Sequence, residues 1–433
     1  MNQKPVIRKI IADYHSKPPK KWIERNLQLP LDINKIVTVT GPRRSGKSAT
    51  LELMAQSLKF SGIKPTQILY INFEDERLNI RQQDLDTLLQ VFAEMYPNQD
   101  LSTCYFLFDE IQNVEGWEKF VRRVYDSVSY HVYITGSNSK LLSTEIATEL
   151  RGRTLTFELL TLSFNEYLRF KKFENDQQDT ASLAKNQSYF MQFVQEGGFP
   201  EVALLPETFH KNMLQDYFNV MMYRDMVERY NFTNLSVLKY FLKRMYESVG
   251  KPLSVNKIYH DLKSQNYNVS KNSLYEFLEA AQAIYMCVEA NKFHASILKQ
   301  ELSEKKYYAI DNGLLQALTY DFKDNFGLLF ENMIFLELRK YGYKCYYYKD
   351  KKECDLVIQL PNGDLLPAQV CFDISNTDTA KREYAGLLEA CKAVGAREGL
   401  IFTESHENTL NIDGTNIQIV NAALFFRGRT IEL

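Results

Sequence analysis

The first third of the chain alternates short apolar runs with segments in which apolar residues recur at helical spacing. Four runs rich in β-branched and aromatic residues predict buried strands, namely KIVTVT (35–40), QILYINF (67–73), CYFLFDE (104–110) and HVYITGS (131–137). Helical patterns lie between them around 84–96 and 117–127, and RTLTFELL (153–160) predicts a fifth strand. Strands that alternate with helices at this spacing predict a parallel sheet covered by helices on both faces.

The middle of the chain carries mostly helical patterns. The polar segment 171–187 has no periodicity, so we expect a surface loop or linker and a domain edge there. A long helical pattern runs from about 207 to 230. Three shorter helices follow, at about 235–249, 254–265 and 270–283. Ser254 and Ser270 stand where N-caps belong, and two short strands, YMCVEANKF and KKYYAID, then predict a hairpin.

The C-terminal part returns to a mixed pattern of helices and strands. A helix at 326–341 precedes three strand-like segments, YKCYYYK, CDLVIQL and LLPAQVCF. A second helix at 378–394 is followed by the strand-like segments GLIFT and IQIVNAALFF. A Pro-Asn-Gly-Asp turn at 361–364 is expected to join two of these strands as a hairpin. The pattern predicts a second α/β unit.

The composition is that of a folded globular protein. At 433 residues, the chain is long enough for two to four domains of roughly 100 to 200 residues each. Hydrophobic residues make up 45% of the chain and charged residues 24%, with 27 Tyr and 27 Phe, which excludes a disordered chain. The net charge of −2 gives no general attraction for nucleic acid, so binding of DNA or RNA would need a local basic patch.

Cysteine spacing and hydropathy indicate the compartment. The 6 cysteines form no CxxC pair, and the N-terminal MNQKPVIRKI lacks the apolar region of a signal peptide. No apolar run approaches the roughly 18 residues that a membrane span needs. We therefore expect a cytoplasmic protein in a reducing environment, without a membrane partner.

The segment GPRRSGKS (41–48) matches G-x-x-x-x-G-K-[ST] between a predicted strand and a predicted helix, as a phosphate-binding loop requires. Gly41 and Gly46 let the backbone turn its N–H groups toward phosphate oxygens, and the helix N-terminus adds partial positive charge. Lys47 is expected to reach the β- and γ-phosphates, and Ser48 to bind Mg²⁺. The other loop residues counted as nucleotide-binding are Pro42, Arg43, Arg44 and Ser45. Loop solubility or contact with a neighbour also explains the two arginines.

Two acids end the third predicted strand. YFLFDE alone describes a core strand that meets solvent, but beside a phosphate loop it indicates a magnesium-binding strand. Asp109 would hold Mg²⁺ through water, and Glu110 would orient and polarise the attacking water as general base. A glutamate there predicts hydrolysis rather than binding alone. The next strand ends in Thr135, Ser137 and Asn138, which either contact the γ-phosphate or form an ordinary strand-to-helix turn.

The order of phosphate loop, intervening strand, acidic strand and polar-ended strand resembles that of AAA+ ATPases, whose sheet places the acidic strand away from the loop strand. INFEDER, DEIQN, ITGSNS, LRGR and GGFP are similar to a prokaryotic group of AAA ATPases that carry a C-terminal domain of unknown function. The resemblance covers nearly the whole chain and implies ATP with Mg²⁺; no guanine signature is found, which also favours adenine.

The resemblance to AAA+ ATPases further implies an arginine against the γ-phosphate, often from a neighbouring subunit. Arg151 and Arg153 are the candidates by position, and their alternative is that of surface arginines at a helix end.

Three short helices followed by a hairpin, from about 235 to 310, resemble a winged helix-turn-helix. The third helix, SKNSLYEFLEAAQ, would be the recognition element, with Lys271 and Asn272 in its first turn. Residues 236–310 contain 11 Lys or Arg and 7 Asp or Glu. This local positive charge permits DNA binding without requiring it, and a protein-docking or structural role is the alternative.

The C-terminal unit resembles the restriction-endonuclease-like core, whose metal site uses an acid on the first helix, an Asp, and an E-x-K tripeptide on the next strand. The matching residues are Glu331, Asp355 and the tripeptide Gln369-Val370-Cys371. Gln369 offers a neutral carbonyl where a carboxylate would bind Mg²⁺, and Cys371 cannot replace the lysine. We therefore expect an inactive, repurposed nuclease fold in which Cys371 is a buried apolar residue.

These expectations describe an α/β chain in four parts. They are a P-loop AAA-type ATPase domain (1–170), a helical linker region (171–234), a winged-helix-like domain (235–325) and a nuclease-like domain (326–433). The leading hypothesis is a Mg²⁺-dependent ATPase whose nucleotide state rearranges the last two modules. DNA bound at 235–310, another protein or a second copy of the chain are the candidate partners. The alternatives are an ATP-regulated, metal-dependent DNA nuclease and an adaptor that binds ATP without hydrolysing it.

Overall fold

The computed structural model describes residues 3–138, 150, 152–173, 179–318 and 326–428. The chain forms two compact units. The first comprises Met1–Leu160 together with the short segment Ala283–Tyr285, and the second comprises Thr161–Gln282 and Met286–Leu433. The predicted division of the chain into four parts, at 1–170, 171–234, 235–325 and 326–433, stays a prediction.

A five-stranded sheet forms the centre of the first unit. Its strands are β1 (Ile36–Thr40), β2 (Ile68–Asn72), β3 (Tyr105–Asp109), β4 (Val132–Gly136) and β5 (Thr154–Glu158). They pair in the order β2-β3-β4-β1-β5, and every pairing is parallel. The predicted parallel sheet is therefore confirmed. Strand β4 separates the acidic strand β3 from β1, which is the order that the AAA+ resemblance implies.

Helices cover both faces of this sheet, as predicted. They are Lys4–Ser16, Lys47–Phe60, Asp86–Met95 and Trp117–Ser127. The last of these buries four residues at i, i+3, i+4 and i+7 against one face: Trp117, Phe120, Val121 and Val124. The helix Lys47–Phe60 buries Leu51, Met54, Ala55 and Leu58 against the other face with the same spacing. Because both faces are covered, all five residues of β1 and of β3 are buried.

The middle of the chain is helical, and one of its predicted boundaries is wrong. Its helices are Phe164–Phe170, Thr180–Glu196, Pro200–Leu204, His210–Val220, a π-helix Met221–Glu228, Leu235–Glu247, Val255–Ser264, Lys271–Ala283, Ile297–Leu302 and Asn312–Leu318. The predicted loop 171–187 is already helical from Thr180, because the Asp179 carboxylate accepts the N–H groups of Ala181 and Ser182 as an N-cap. The predicted helix 207–230 changes from α to π geometry after Val220.

The helix-helix-helix-hairpin order predicted for 235–310 is observed. The helices begin at Leu235, Val255 and Lys271, and strands β6 (Cys287–Ala290) and β7 (Lys306–Ala309) pair antiparallel. The hydroxyl of Ser254 accepts the N–H of Lys257, and that of Ser270 accepts the N–H of Ser273. Both predicted N-caps are therefore confirmed, whereas the identification of these elements as a winged helix stays a prediction.

The GGFP segment packs against a buried carboxylate in the second unit. The N–H of Gly198 donates to Asp311 Oδ2 at 2.6 Å, and the N–H of Leu314 donates to Oδ1 at 3.2 Å. A Cβ at Gly197, whose φ is +77°, would collide with the same carboxylate. Burial raises the pKa of Asp311 to about 6 despite these hydrogen bonds.

The C-terminal part contains a mixed six-stranded sheet. Its strands are β8 (Lys344–Lys349), β9 (Glu353–Gln359), β10 (Leu365–Val370), β11 (Glu398–Thr403), β12 (Asn408–Ile412) and β13 (Thr415–Asn421), in the order β12-β13-β11-β10-β9-β8. Helices Phe326–Lys340, Thr377–Val394 and Ala422–Gly428 accompany it. The predicted turn at 361–364 joins β9 to β10, as expected. Strand β12 was not predicted, and the predicted strand IQIVNAALFF becomes a helix from Ala422.

Within the described ranges, no helix is both long and apolar enough to cross a membrane.

Candidate functional site

The GPRRSGKS loop connects β1 to the helix Lys47–Phe60, as the sequence predicts. Both of its glycines are required by geometry. Gly46 adopts a left-handed conformation with φ +101° directly before the helix. A Cβ at Gly41 would collide with the carbonyl oxygen of Leu159. The loop therefore approaches neighbouring backbone too closely for any larger residue at its first position, and it leads directly into a helix N-terminus, which favours anions.

Lys47 is a buried cation held by the loop itself. Its side chain is 3% exposed, and its ammonium donates to the carbonyl oxygens of Gly41 at 3.1 Å and Pro42 at 3.0 Å. The Oε1 atom of Glu110 lies 3.3 Å from the same nitrogen. The fold thus brings together the loop lysine and the glutamate proposed as general base.

Asp109 ends β3 and is fully buried. Its Oδ2 accepts the hydroxyl of Tyr70 at 2.8 Å, its Oδ1 accepts the hydroxyl of Thr135, and Ser48 is hydrogen-bonded to the same carboxyl. Burial and the charge of Glu110 raise the pKa of Asp109, while these three hydroxyls oppose that shift. The two residues expected to bind Mg²⁺, Ser48 and Asp109, are therefore direct neighbours.

Glu110 occupies a strained backbone position with φ +53° and ψ +43°. Its N–H donates to the Thr135 hydroxyl at 2.9 Å, and its Oε2 accepts the amide of Gln112 at 2.6 Å. Burial alone would raise the pKa of Glu110, but the Lys47 ammonium, the Gln112 amide and the charge of Arg43 outweigh burial and lower it. The buried carboxylate is thus kept ionised, which a general base requires.

The remaining loop residues lie in different environments. Arg43 forms an ion pair with Glu74 at 2.8 Å, which fits the contact with a neighbour considered above. Arg44 is exposed, with φ +64°. Ser45 is fully buried, and its Oγ has no hydrogen-bond partner among the described residues. A buried hydroxyl without a partner is rare in folded proteins, so the loop offers a polar group that a ligand can satisfy.

Ser137 and Asn138 follow β4 and are both buried. The Gln112 amide lies 3.5 Å from the Ser137 hydroxyl and also bonds Glu110, so Ser137 belongs to the same hydrogen-bonded cluster as Glu110. Thr135 bridges Asp109 and Glu110 from the neighbouring strand. The polar end of β4 therefore lies beside the acidic end of β3, as the sequence predicts.

Of the two arginine candidates, the structure describes Arg153 alone, and it is not brought to this site. Arg153 precedes β5, and its Nε donates to Asp126 Oδ1 at 2.9 Å. Because β5 runs parallel to β1, Arg153 lies at the end of the sheet opposite to the phosphate loop. It does not reach the loop of its own unit, and a role toward a second copy stays a prediction. Arg151 lies outside the described residues.

The residues present fit a nucleotide with its magnesium ion. At Gly41 the loop backbone lies so close to neighbouring backbone that no side chain fits, and Ser45 supplies an unsatisfied buried hydroxyl. Ser48 and Asp109 supply oxygen ligands. Across the ranges given above, no group of three or more His, Cys, Asp or Glu is arranged to hold a metal alone. Two oxygen ligands completed by phosphate and water are what a Mg²⁺ site of this kind uses.

Several residues of this site escaped sequence reasoning. Tyr70 and Gln112 contact the two acids, and the Arg25 guanidinium donates to the carbonyl oxygen of Ser45 at 2.5 Å. Tyr285, far along the chain but part of the first unit, donates its hydroxyl to Thr40 at 3.0 Å, directly before the loop. Only Gln112 carried a usable signal, because it stands in DEIQN two residues after Glu110.

The C-terminal residues mapped onto a nuclease site also lie together, but with an added lysine. The Lys306 ammonium, on β7 and 1% exposed, lies 2.8 Å from Glu353 Oε1 and 3.7 Å from Glu331 Oε1. Burial, followed by the charge of Glu331, raises the pKa of Asp355. Burial alone would lower the pKa of Lys306, but Glu331, Asp355 and Glu353 outweigh it and raise that pKa.

Gln369 is committed to hydrogen bonds within the protein. Its carbonyl accepts the N–H of Asp355 at 2.7 Å, and its amide donates to Glu383 at 2.8 Å and to the carbonyl of Glu353 at 3.3 Å. Cys371 is buried, and burial raises the pKa of its thiol to about 11. The inactive nuclease fold stays a prediction.

The sheet order, the phosphate loop and the paired acids together define a P-loop nucleotide-binding protein of the AAA class. The model of an AAA domain matches residues 33–168. Models of two domains of unknown function, DUF8612 and DUF4143, match residues 187–325 and 326–425. The chain is thus a P-loop AAA protein with C-terminal domains of unknown function.

Two curated relatives place the chain in a family. The uncharacterized protein MJ1544 of Methanocaldococcus jannaschii is 36% identical over 381 residues, covering 86% of this chain and 82% of the relative. An uncharacterized protein of Haemophilus influenzae is 30% identical over 344 residues, covering 79% and 84%. The chain belongs to the family of these two proteins. The solved Walker-type ATPase PABY2304 of Pyrococcus abyssi is 16% identical, with 73% of this chain and 95% of that chain covered and a TM-score of 0.43.

Proposed function

We propose that the first unit binds ATP with Mg²⁺ and hydrolyses it. The observation that carries this proposal is the ionised, buried Glu110, 3.3 Å from the loop lysine and bonded to Gln112. A loop that only holds nucleotide needs no carboxylate at that position. A general base beside the γ-phosphate contributes roughly 10²- to 10⁴-fold to a hydrolytic rate.

The proposed reaction uses the contacts already described. When ATP binds, the Lys47 ammonium donates its hydrogen bonds to phosphate oxygens instead of the carbonyls of Gly41 and Pro42. The ammonium can do so because it has three N–H donors and the phosphates would lie next to these loop carbonyls. That exchange releases Glu110 from its ion pair, so its carboxylate can accept a proton from water. Ser48 and Asp109 would hold Mg²⁺, which would neutralise charge on the phosphates. Gln112 and Ser137 orient the carboxylate and the water.

Two substitutions separate binding from hydrolysis. In Lys47→Ala, both ATP binding and phosphate release should fall, because the phosphate oxygens lose their cation. In Glu110→Gln, ATP binding should persist while phosphate release falls by about 100-fold or more. Glu115→Gln is the matched control, since it makes the same chemical change at an exposed position. Unchanged hydrolysis in both site variants would overturn the proposal.

The role of the second unit is tested by the same assay with DNA present. Stimulation of hydrolysis by single- or double-stranded DNA, abolished by Lys271→Glu, would support the predicted DNA partner at 235–310. Tight ATP binding without hydrolysis, with or without DNA, would favour the adaptor. Cleavage of DNA that Asp355→Ala abolishes would favour the nuclease, although Gln369 and Cys371 argue against it.

A further inference from the structure

A groove of about 460 Å³ lies in the second unit, and three of its lining residues, Lys239, Lys243 and Tyr246, fall within the segment 235–310 considered above. The helix His210–Val220, the π-helix Met221–Glu228 and the helix Leu235–Glu247 supply most of its lining. It falls within the segment matched by a domain of unknown function. Sites for small ligands have volumes of roughly 300–1,000 Å³, so this groove is large enough for one nucleotide-sized molecule.

The groove has a cationic rim. Lys211, Lys239 and Lys243 line it together with the amide side chain of Asn219, and none of the described lining residues is acidic. All three lysines are exposed. Glu247 lies 4.0 Å from Lys243, but both side chains of that pair face solvent, so it neutralises little of the rim. The rim therefore favours an anionic ligand.

The floor of the groove is apolar and aromatic. Phe218 lines the groove and is partly exposed, and Met222 and Tyr246 also line it and are buried. Met222 belongs to the π-helix, a geometry that occurs mostly as single turns and often at functional sites. Flat rings stack on exposed aromatic side chains while lysines contact phosphates, which is how single-stranded nucleic acid is held. An acidic peptide would use the rim but not this floor.

We propose that the groove binds a nucleoside phosphate, with the phosphate on the lysine rim and the base against Phe218. The source is either a free nucleotide or the 5′-phosphorylated end of a single strand, which share this chemistry. The proposal is independent of hydrolysis in the first unit.

The test uses the full chain with Lys47→Ala, so that the phosphate loop does not obscure binding elsewhere. Fluorescence anisotropy is measured with a 3′-labelled oligothymidylate, with and without its 5′-phosphate, and AMP and polyglutamate serve as competitors. We expect the phosphorylated strand to bind and Lys239→Glu/Lys243→Glu to weaken binding about tenfold or more, because two phosphate contacts become repulsive. The matched control, Lys381→Glu/Lys392→Glu, makes the same change of charge on an exposed helix face and should weaken binding less than about twofold.

The competitors distinguish the sources of the ligand. Displacement by AMP indicates a free nucleotide, whereas binding of the strand that AMP does not displace indicates a strand end. The proposal is overturned if no probe binds, if the groove variant binds like the control, or if polyglutamate competes as well as the phosphorylated strand. Loss of binding in Lys271→Glu, with the groove variant unaffected, would move the site to the helix Lys271–Ala283 and overturn it too.

Discussion

Replacing Lys306 by methionine would remove the ammonium between Glu331 and Glu353 while keeping an unbranched apolar side chain. At an effective dielectric constant of about 20, carboxylates at 2.8 and 3.7 Å attract the ammonium by about 6 and 4.5 kcal/mol. Desolvation of a group that is 1% exposed offsets much of this gain. Removing the ammonium, however, leaves Glu331, whose side chain is 17% exposed, without this cation, and breaking a buried ion pair in this way typically costs about 3–5 kcal/mol. We expect the free energy of unfolding of the second unit to fall by that amount.

Lys349 provides a matched control for this prediction. Its ammonium pairs with the other oxygen of the same Glu353 at 2.9 Å, but its side chain is 50% exposed. Exposed ion pairs contribute about 0–1 kcal/mol, so Lys349→Met should lower the free energy of unfolding by less than about 1 kcal/mol. Both variants lose an ion pair with Glu353, but Lys306→Met removes a buried ammonium and its second contact with Glu331, whereas Lys349→Met removes an exposed one.

Urea unfolding followed by circular dichroism measures both variants. For a slope of about 3 kcal/mol per molar urea, Lys306→Met should lower the midpoint by about 1 M or more. Both tryptophans, Trp22 and Trp117, belong to the first unit, so their fluorescence reports on that unit separately. Equal midpoint shifts for the two variants would refute the reasoning, because burial would then not determine the contribution of the ion pair.

Three further predictions concern single side chains. Because burial raises the pKa of Asp311 from 3.8 to about 6, the folded state binds more protons than the unfolded state between these values, and stability falls as pH rises through them. Between pH 5 and pH 7, wild type should lose about 1 kcal/mol relative to Asp311→Asn in urea unfolding, and a constant difference would contradict this. Thr135→Val removes the hydroxyl shared by Asp109 and Glu110, so kcat for ATP hydrolysis should fall about tenfold with ATP affinity nearly unchanged; an equal loss of affinity would contradict it. Gly41→Ala directs a Cβ at the carbonyl of Leu159, so affinity for a fluorescent ATP analogue should fall more than about tenfold, and unaltered affinity would show that the close approach is dispensable.

The local pattern of apolar residues was sufficient to predict most of the strands and helices. The strands of the first sheet and three of the helices that cover it follow from uninterrupted apolar runs and helical spacing, and they were predicted within a few residues, whereas the helix Lys4–Ser16 was not predicted. The errors occur in apolar segments whose sequence is compatible with more than one kind of secondary structure. NAALFF is apolar enough for a strand but forms a helix after β13, and the helix after His210 changes to π geometry at Met221 without any signal in its apolar spacing.

The candidate site was predictable only where its residues are close in sequence. The phosphate loop and the acids Asp109 and Glu110 stand in short, recognisable segments. Tyr70 and Tyr285 reach the same region from distant parts of the chain, where each reads as one apolar residue among many. Lys306 was missed for the same reason: nothing in KKYYAID indicates that its second lysine is buried among carboxylates of the C-terminal part.

The polarity of the first sheet limits where an arginine that contacts the γ-phosphate can come from. Strand β5 is in register with β1, so that Thr154 lies beside Ile36 and Glu158 beside Thr40. A strand of five residues rises about 16 Å, which separates Arg153 from the loop that follows Thr40. Its guanidinium is also engaged by Asp126. If Arg153 serves catalysis, it therefore acts on the nucleotide of a second copy that contacts this edge, and Asp126 must release it when that copy binds.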